Sequence, residues 1–205
     1  MHKNISVILF DLGRVLMHID FDAFPNGLGL TTPELRSLYD QSKVQRTVRA
    51  YETGKYSSEK FVDVLFEIFQ REFSREKILD AFNGIIVSDN SEILPFVERM
   101  RQQYRIAVLS NTCECHWEKV HRISSVIKIF PDTFTSFQLG AMKPEKIIYE
   151  KVCASLNVDN GSVVFIDDLP ENVDGARETG MKGIVFQNTN QLQTDFQKLY
   201  LKNHT

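Results

Sequence analysis

The 205-residue chain has only three cysteines, six prolines and ten glycines, and its basic residues do not outnumber its acidic ones. Cys113, Cys115 and Cys153 cannot all pair, which excludes a disulfide scaffold and points to a reducing compartment. So little proline and glycine excludes a collagen-like or linker-built chain. With 24 Lys+Arg against 27 Asp+Glu and a net charge of −3, the chain lacks the clustered basic excess that a nucleic-acid or anionic-membrane footprint needs. No stretch approaches the ~20 apolar residues of a membrane span. The apolar run after His2 and Lys3, Val7-Ile8-Leu9-Phe10, is too short for a secretion signal. The expectation is a cytoplasmic protein, a monomer or small homo-oligomer, with no nucleic-acid or membrane partner. Cys113, Cys115 and His116 lie close in sequence, but a zinc site would need a second paired cluster, so they read as helix-start residues.

What is present is an alternation of short apolar runs and helical patterns. Strand-length runs occur at Ile5 to Phe10, Arg105 to Leu109, Thr133 to Phe137, Val163 to Ile166 and Gly183 to Phe186. Helical spacing intervenes at Ile93, Leu94, Val97 and Met100, and at Ile148, Val152 and Leu156, with Pro144 placed in the first turn of the latter helix. Strands alternating with helices of this length imply an α/β fold with a doubly wound parallel sheet. Residues 18–88 differ, because they hold no buried-strand run and several helix starts. Thr32-Pro33-Glu34 is an N-cap with proline at the first position. Ser58 precedes an apolar stripe of Phe61, Val64, Leu65, Ile68 and Phe69, and Ser74 precedes Ile78, Leu79, Ala81 and Phe82. The chain therefore divides into a sheet-based core, 1–17 and 89–205, and an all-helical cap, 18–88, inserted after the first strand.

In such sheets ligands sit beyond the carboxyl ends of the strands. The residues there are Asp11, then Ser110-Asn111-Thr112, then Lys143, then Asp167-Asp168. Carboxylates from two strands can hold Mg²⁺, a hydroxyl and an ammonium can hold phosphoryl oxygens, and a free carboxylate oxygen can attack. Each element has a plainer reading: a strand-ending turn at Asp11 and Gly13, helix capping at Ser110 to Thr112, a solvated lysine at Lys143. Two adjacent carboxylates after Val163-Val164-Phe165-Ile166 are harder to explain without a cation.

In its motifs Phe10-Asp11-Leu12-Gly13-Arg14-Val15-Leu16, Leu109-Ser110-Asn111-Thr112, Gly140-Ala141-Met142-Lys143-Pro144-Glu145 and Phe165-Ile166-Asp167-Asp168-Leu169-Pro170-Glu171-Asn172, the chain resembles the haloacid dehalogenase superfamily. The likeness is greatest to its phosphatases with a small helical cap. The resemblance implies a Mg²⁺-dependent phosphatase of a small phosphorylated metabolite. Asp11 would be the nucleophile that forms an aspartyl-phosphate, and Ser110, Asn111 and Lys143 would bind the phosphoryl group. Asp11, the Gly13 carbonyl and Asp168 would hold the metal. Asp167 would support them, and Asn172 would orient Lys143 or the metal's waters.

One position departs from the pattern: the family usually carries a second Asp two residues after the nucleophile, and here it is Gly13. What disappears is the acid that protonates the leaving oxygen and the base that activates water, groups typically worth ~10²–10⁴ in rate. A leaving group needing little protonation, such as a sugar 1-phosphate, would tolerate the loss. Alternatively His18 or a cap residue enters the site, or the protein has exchanged turnover for Mg²⁺ and phosphate binding in a regulatory role. Arg14 and His18 are possible substrate contacts, and Asp20, Arg49, Tyr51, Glu52, His116 and Trp117 are candidates to line the cleft. A 2-haloacid dehalogenase also uses an Asp nucleophile but does not call for the Asp167-Asp168 pair.

Overall fold

The computed structural model describes residues 5–201; the reading of His2 and Lys3 falls outside them. The main sheet has five parallel strands in the order β5-β4-β1-β6-β7. They are β1 (Val7–Phe10), β4 (Arg105–Ser110), β5 (Asp132–Thr135), β6 (Val163–Asp167) and β7 (Lys182–Val185), with β2 and β3 lying in the insertion described below. Their side chains alternate between two separate cores. Ile8, Phe10, Ile106, Val108, Val164 and Ile166 face one, while Val7, Leu9, Ala107, Leu109, Val163 and Phe165 face the other. A sheet covered on both faces explains why these strands read as unbroken apolar runs rather than as alternating ones.

The crossovers are helical. In chain order α6 (Leu94–Met100) leads into β4, and α7 (Glu114–Ile123) follows it. After β5 come α8 (Ser136–Leu139) and α9 (Lys146–Leu156); α10 (Pro170–Glu178) joins β6 to β7, and α11 (Thr189–Leu201) closes the chain. Gly175 lets α10 approach the Lys143-Pro144 loop, since a Cβ there would stand 2.6 Å from the Pro144 carbonyl oxygen. Pro144 itself is not in the first turn of α9: Glu145 caps that helix, and the Lys143-Pro144 peptide is cis. Lys143 and Pro144 instead form a turn in which the Glu145 N–H donates to the Met142 carbonyl at 2.9 Å, and the helix starts beyond it.

Between β1 and α6 the chain forms β2 (Met17–Ile19), α1 (Ala23–Gly27), α2 (Pro33–Arg36), α3 (Gln41–Glu52), α4 (Ser58–Ile68), α5 (Arg75–Asn83) and β3 (Ile86–Asp89). Side-chain caps start four of these helices. Thr32, Asp40, Ser57 and Ser74 each accept a backbone N–H of the first turn. The α4 cap is thus one residue earlier than the Ser58 read from sequence. The insertion is also not all helical, because β2 and β3 pair antiparallel at its two ends. Strands this short, with a register irregularity between His18 and Ile19, leave no period-2 signal.

The helices pack around aromatic rings. Tyr51 stacks on Phe61 at 4.4 Å, Phe61 meets Phe82 at 4.7 Å, and Phe24 meets Phe82 edge-on at 5.2 Å. These rings belong to the same buried cluster as one face of the main sheet. The turn between α3 and α4 fixes the insertion against the core at Gly54, which has φ +69° and no room for a Cβ: one would stand 2.3 Å from the Phe137 carbonyl oxygen in α8. Gly54→Ala is expected to cost ~1–3 kcal/mol in chemical denaturation, from the left-handed backbone and the displaced α8 contact. An unchanged denaturation midpoint would contradict that fixed contact.

Candidate active site

The carboxyl ends of β1, β4 and β6 converge with the loop before α9. Lys143 is the centre of the cluster. Its side chain is 1% exposed, and its Nζ donates to Asp11 Oδ1 at 2.5 Å, Asp167 Oδ2 at 2.6 Å and the Leu109 carbonyl at 3.2 Å. Burial alone would lower the lysine's pKa. Asp11 and Asp167 outweigh it and hold the ammonium above its ordinary value. The Asp11 carboxyl is pushed upward, first by burial and then by the neighbouring charge of Asp167, against the pull of Lys143. One ammonium therefore leaves negative charge in this cluster incompletely compensated.

Asp167 and Asp168 take different positions. Asp167 is fully buried and accepts from Lys143, from the Asn172 amide at 3.0 and 3.1 Å, and from the Leu169 N–H at 2.9 Å. Asp168 is partly exposed, and burial together with the Asp167 charge raises its carboxyl. Its nearest cation is Arg14, at 3.7 Å. One oxygen from each of Asp11, Asp167 and Asp168 lies within 4.8 Å of the others. Hard carboxylate donors with unrelieved negative charge fit a small divalent cation such as Mg²⁺.

The strand ends are tied together by Asn111. Its side chain accepts from the Lys143 N–H at 2.8 Å and donates to the Lys143 carbonyl at 3.0 Å. That amide thereby fixes the backbone of Lys143. Ser110 is buried at the end of β4, and its hydroxyl has no partner among the described residues. Asn172 holds Asp167 and does not bond Lys143 directly, so any effect it has on the lysine passes through the carboxylate. Tyr149 donates to the Asn172 carbonyl at 2.7 Å and fixes the start of α10 from below.

Gly13 follows Leu12 in a turn where the Arg14 N–H donates to the Met17 carbonyl. Arg14 is exposed and left-handed at φ +57°, with its guanidinium 5.2 Å from the Phe21 ring. Of the cleft candidates, His18 and Asp20 are exposed on and after β2. Tyr51, His116 and Trp117 do not line a cleft, because they are buried within the packing. His116 stacks on Phe82 at 4.3 Å with its Nε2 2.9 Å from the Phe82 carbonyl, and burial lowers its pKa to about 4. At the start of an amphipathic helix, residues that look polar in sequence can fall on the inward stripe. Cys113 caps that helix and, with Cys115 and His116, forms a second buried group whose ligand-type atoms lie within 4.8 Å.

Two contacts across the insertion had no signal in sequence. Arg49 of α3 pairs with Glu145, just beyond Lys143, at 3.0 Å. The Cys115 N–H donates to Tyr51 Oη at 3.1 Å. Partners so far apart in the chain meet only through the fold.

A family profile described as a haloacid dehalogenase-like hydrolase matches residues 5–180. The chain belongs to the haloacid dehalogenase-like hydrolases. Among relatives of this hydrolase, D-ribitol-5-phosphate phosphatase of Bacteroides thetaiotaomicron is 28% identical over 188 residues, covering 87% of this chain and 90% of that one. A solved haloacid dehalogenase family enzyme from Bacteroides thetaiotaomicron superposes with a TM-score of 0.81 at 25% identity, covering 91% of this chain and 95% of that one. A haloacid dehalogenase-like hydrolase structure from Porphyromonas gingivalis shares the fold at a TM-score of 0.78 and 23% identity, over 97% and 98% of the two chains. The parallel sheet and its flanking helices are those of the family. Among the described residues no helix is long and apolar enough to cross a membrane.

Proposed function

We propose that this hydrolase is a Mg²⁺-dependent phosphatase acting on a small sugar or sugar-alcohol phosphate through an aspartyl-phosphate. The observation that carries the reading is the buried Lys143 ammonium held between Asp11 and Asp167, three residues delivered by separate elements to one point at the strand ends. A cation fixed beside a carboxylate nucleophile is what a transferring phosphoryl group requires, because its charge spreads over the equatorial oxygens. Asp11 attacks phosphorus. The Ser110 hydroxyl and the backbone N–H groups that follow it receive phosphoryl oxygens, and Lys143 neutralises their charge.

Asp11, Asp168 and the Gly13 carbonyl would hold the metal, with Asp167 and Asn172 bracing the set. When bound, Mg²⁺ neutralises charge on the phosphoryl oxygens and orients the ester. Residues 18–88 act as the cap, closing over the strand ends to exclude water and shape the pocket. Arg14, exposed beside Asp168, is placed to touch a charged or hydroxylated part of the substrate.

The likeness to a ribitol-phosphate phosphatase supports a polyol ester. The Gly13 departure favours a sugar 1-phosphate, whose anomeric leaving oxygen needs less protonation. A panel of phosphomonoesters containing D-ribitol 5-phosphate, a hexose 1-phosphate and an aryl phosphate separates the two. Phosphate release that requires Mg²⁺ and favours one sugar class is the expected result. No metal-dependent release from any ester would leave the fold serving as a Mg²⁺ and phosphate binder.

A further inference from the structure

We propose that Glu52, at the end of α3 in the insertion, is the acid/base residue that replaces the function missing at Gly13. The proposal rests on the phosphatase reading above and adds to it a catalytic group on a different element. Three contacts fix the segment carrying Glu52 against the carboxyl ends of the core strands. Arg49 pairs with Glu145, two residues past Lys143, at 3.0 Å. Tyr51 Oη accepts from the Cys115 N–H at 3.1 Å, at the helix that follows Ser110-Asn111-Thr112. Gly54 abuts the Phe137 carbonyl directly after β5. Glu52 lies between these contacts.

Its carboxyl makes no hydrogen bond or ion pair with any described residue, although every other carboxylate at the strand ends named above has a partner. Charges do face it. Arg49, on its own helix, lowers its pKa slightly, and from α7 the Cys113 thiol is close enough to be raised by the Glu52 charge. Burial dominates and lifts the carboxyl to about 7. That value suits a group which must give a proton and take one back near neutral pH. A half-buried carboxyl without a protein partner, on a segment held by these contacts against the strand ends, is free to exchange a proton there. The other candidates are worse placed: His18 is exposed on β2, and His116 is engaged with the Phe82 carbonyl.

In the first step an Asp11 oxygen bonds to phosphorus and the ester P–O bond breaks. Its electron pair stays on the leaving oxygen, which takes the Glu52 proton and departs as the alcohol. In the second step water attacks phosphorus and gives its proton to the Glu52 carboxylate. The bond from phosphorus to Asp11 breaks, inorganic phosphate leaves, and both side chains return to their starting states.

Glu52→Gln with Mg²⁺, compared in single-turnover and steady-state assays on D-ribitol 5-phosphate and 4-nitrophenyl phosphate, tests the proposal. The alkyl ester's first step should fall by ~10²–10⁴, because its alkoxide must be protonated. Nitrophenolate leaves without a proton, so the aryl ester should give a burst of one equivalent followed by slow turnover. Gly13→Asp placed on Glu52→Gln should restore part of the alkyl-ester rate. Gly13 is not left-handed, and the new Cβ would lie 3.1 Å from the mobile tip of Ile19. Equal losses on both esters without a burst, or no loss at all, would overturn the role of Glu52. Should the Gln variant not fold, Glu52→Asp must still slow the alkyl ester more than the aryl ester, and equal slowing would overturn the role as well. A wild type that releases phosphate from neither ester refutes the phosphatase reading itself, whereas an active wild type indifferent to Glu52 refutes only this proposal.

Discussion

Asp11→Asn is expected to lower Mg²⁺-dependent phosphate release by at least ~10³-fold on both activated and unactivated esters, since losing a nucleophile removes the covalent route entirely. The change is nearly isosteric at a buried site whose ammonium partner remains paired with Asp167 at 2.6 Å, so the fold should persist. An amide oxygen carries no net charge and does not attack phosphorus. Two measurements separate chemistry from collapse: phosphate release at saturating ester, and the thermal unfolding midpoint. A variant that melts like wild type and is nearly inactive is the expected result. Activity within about tenfold of wild type would remove Asp11 from the covalent role.

Lys143→Met should be damaging in a second way. The side chain is 1% exposed and stands between two carboxylates, and methionine fills similar space without the charge. Removing one partner of a buried ionic cluster leaves the others uncompensated, a loss of ~3–5 kcal/mol. Urea denaturation at neutral pH in the absence of divalent cation measures it. The sign of the pH dependence follows from the carboxyls. Without the ammonium the folded pKa of Asp11 lies further above its unfolded value, so the penalty is present above the unfolded carboxyl range. It shrinks as falling pH protonates Asp11. Phosphate release should fall along with stability, because no other buried cation reaches the phosphoryl position among the described residues. An unchanged midpoint at neutral pH would contradict the role of Lys143 in holding this buried cluster together.

The parallel sheet was legible because its strands are buried on both faces. Val7-Ile8-Leu9-Phe10 and Val163-Val164-Phe165-Ile166 feed two cores at once and appear as continuous apolar runs. The strand-end rule then drew attention to Asp11, Ser110, Lys143 and Asp167-Asp168, and the fold brings the carboxylates and the lysine together. What stayed hidden depended on long-range geometry. The β2–β3 ribbon is three and four residues long and has no periodic signature. The use of the Asn111 amide to clamp Lys143 depends on a loop 32 residues away, and the Arg49–Glu145 pair spans 96. Polarity alone marks His116 and Trp117 as cleft residues, whereas the phase of their helix turns both inward. Glu52 could be named from sequence but not set apart from its neighbours, because the lack of a partner is visible only once the other side chains are placed.

The covalent intermediate on Asp11 is the centre of the mechanism, and acid-quenched single turnover tests it most directly. Wild-type protein mixed with Mg²⁺ and a radiolabelled phosphate ester, stopped in acid and digested, should carry label on the peptide containing Asp11. The bond should be labile to base and hydroxylamine, as an acyl phosphate is. Label on a different peptide, or a full turnover of inorganic phosphate with no labelled peptide at any time point, would contradict an aspartyl-phosphate route.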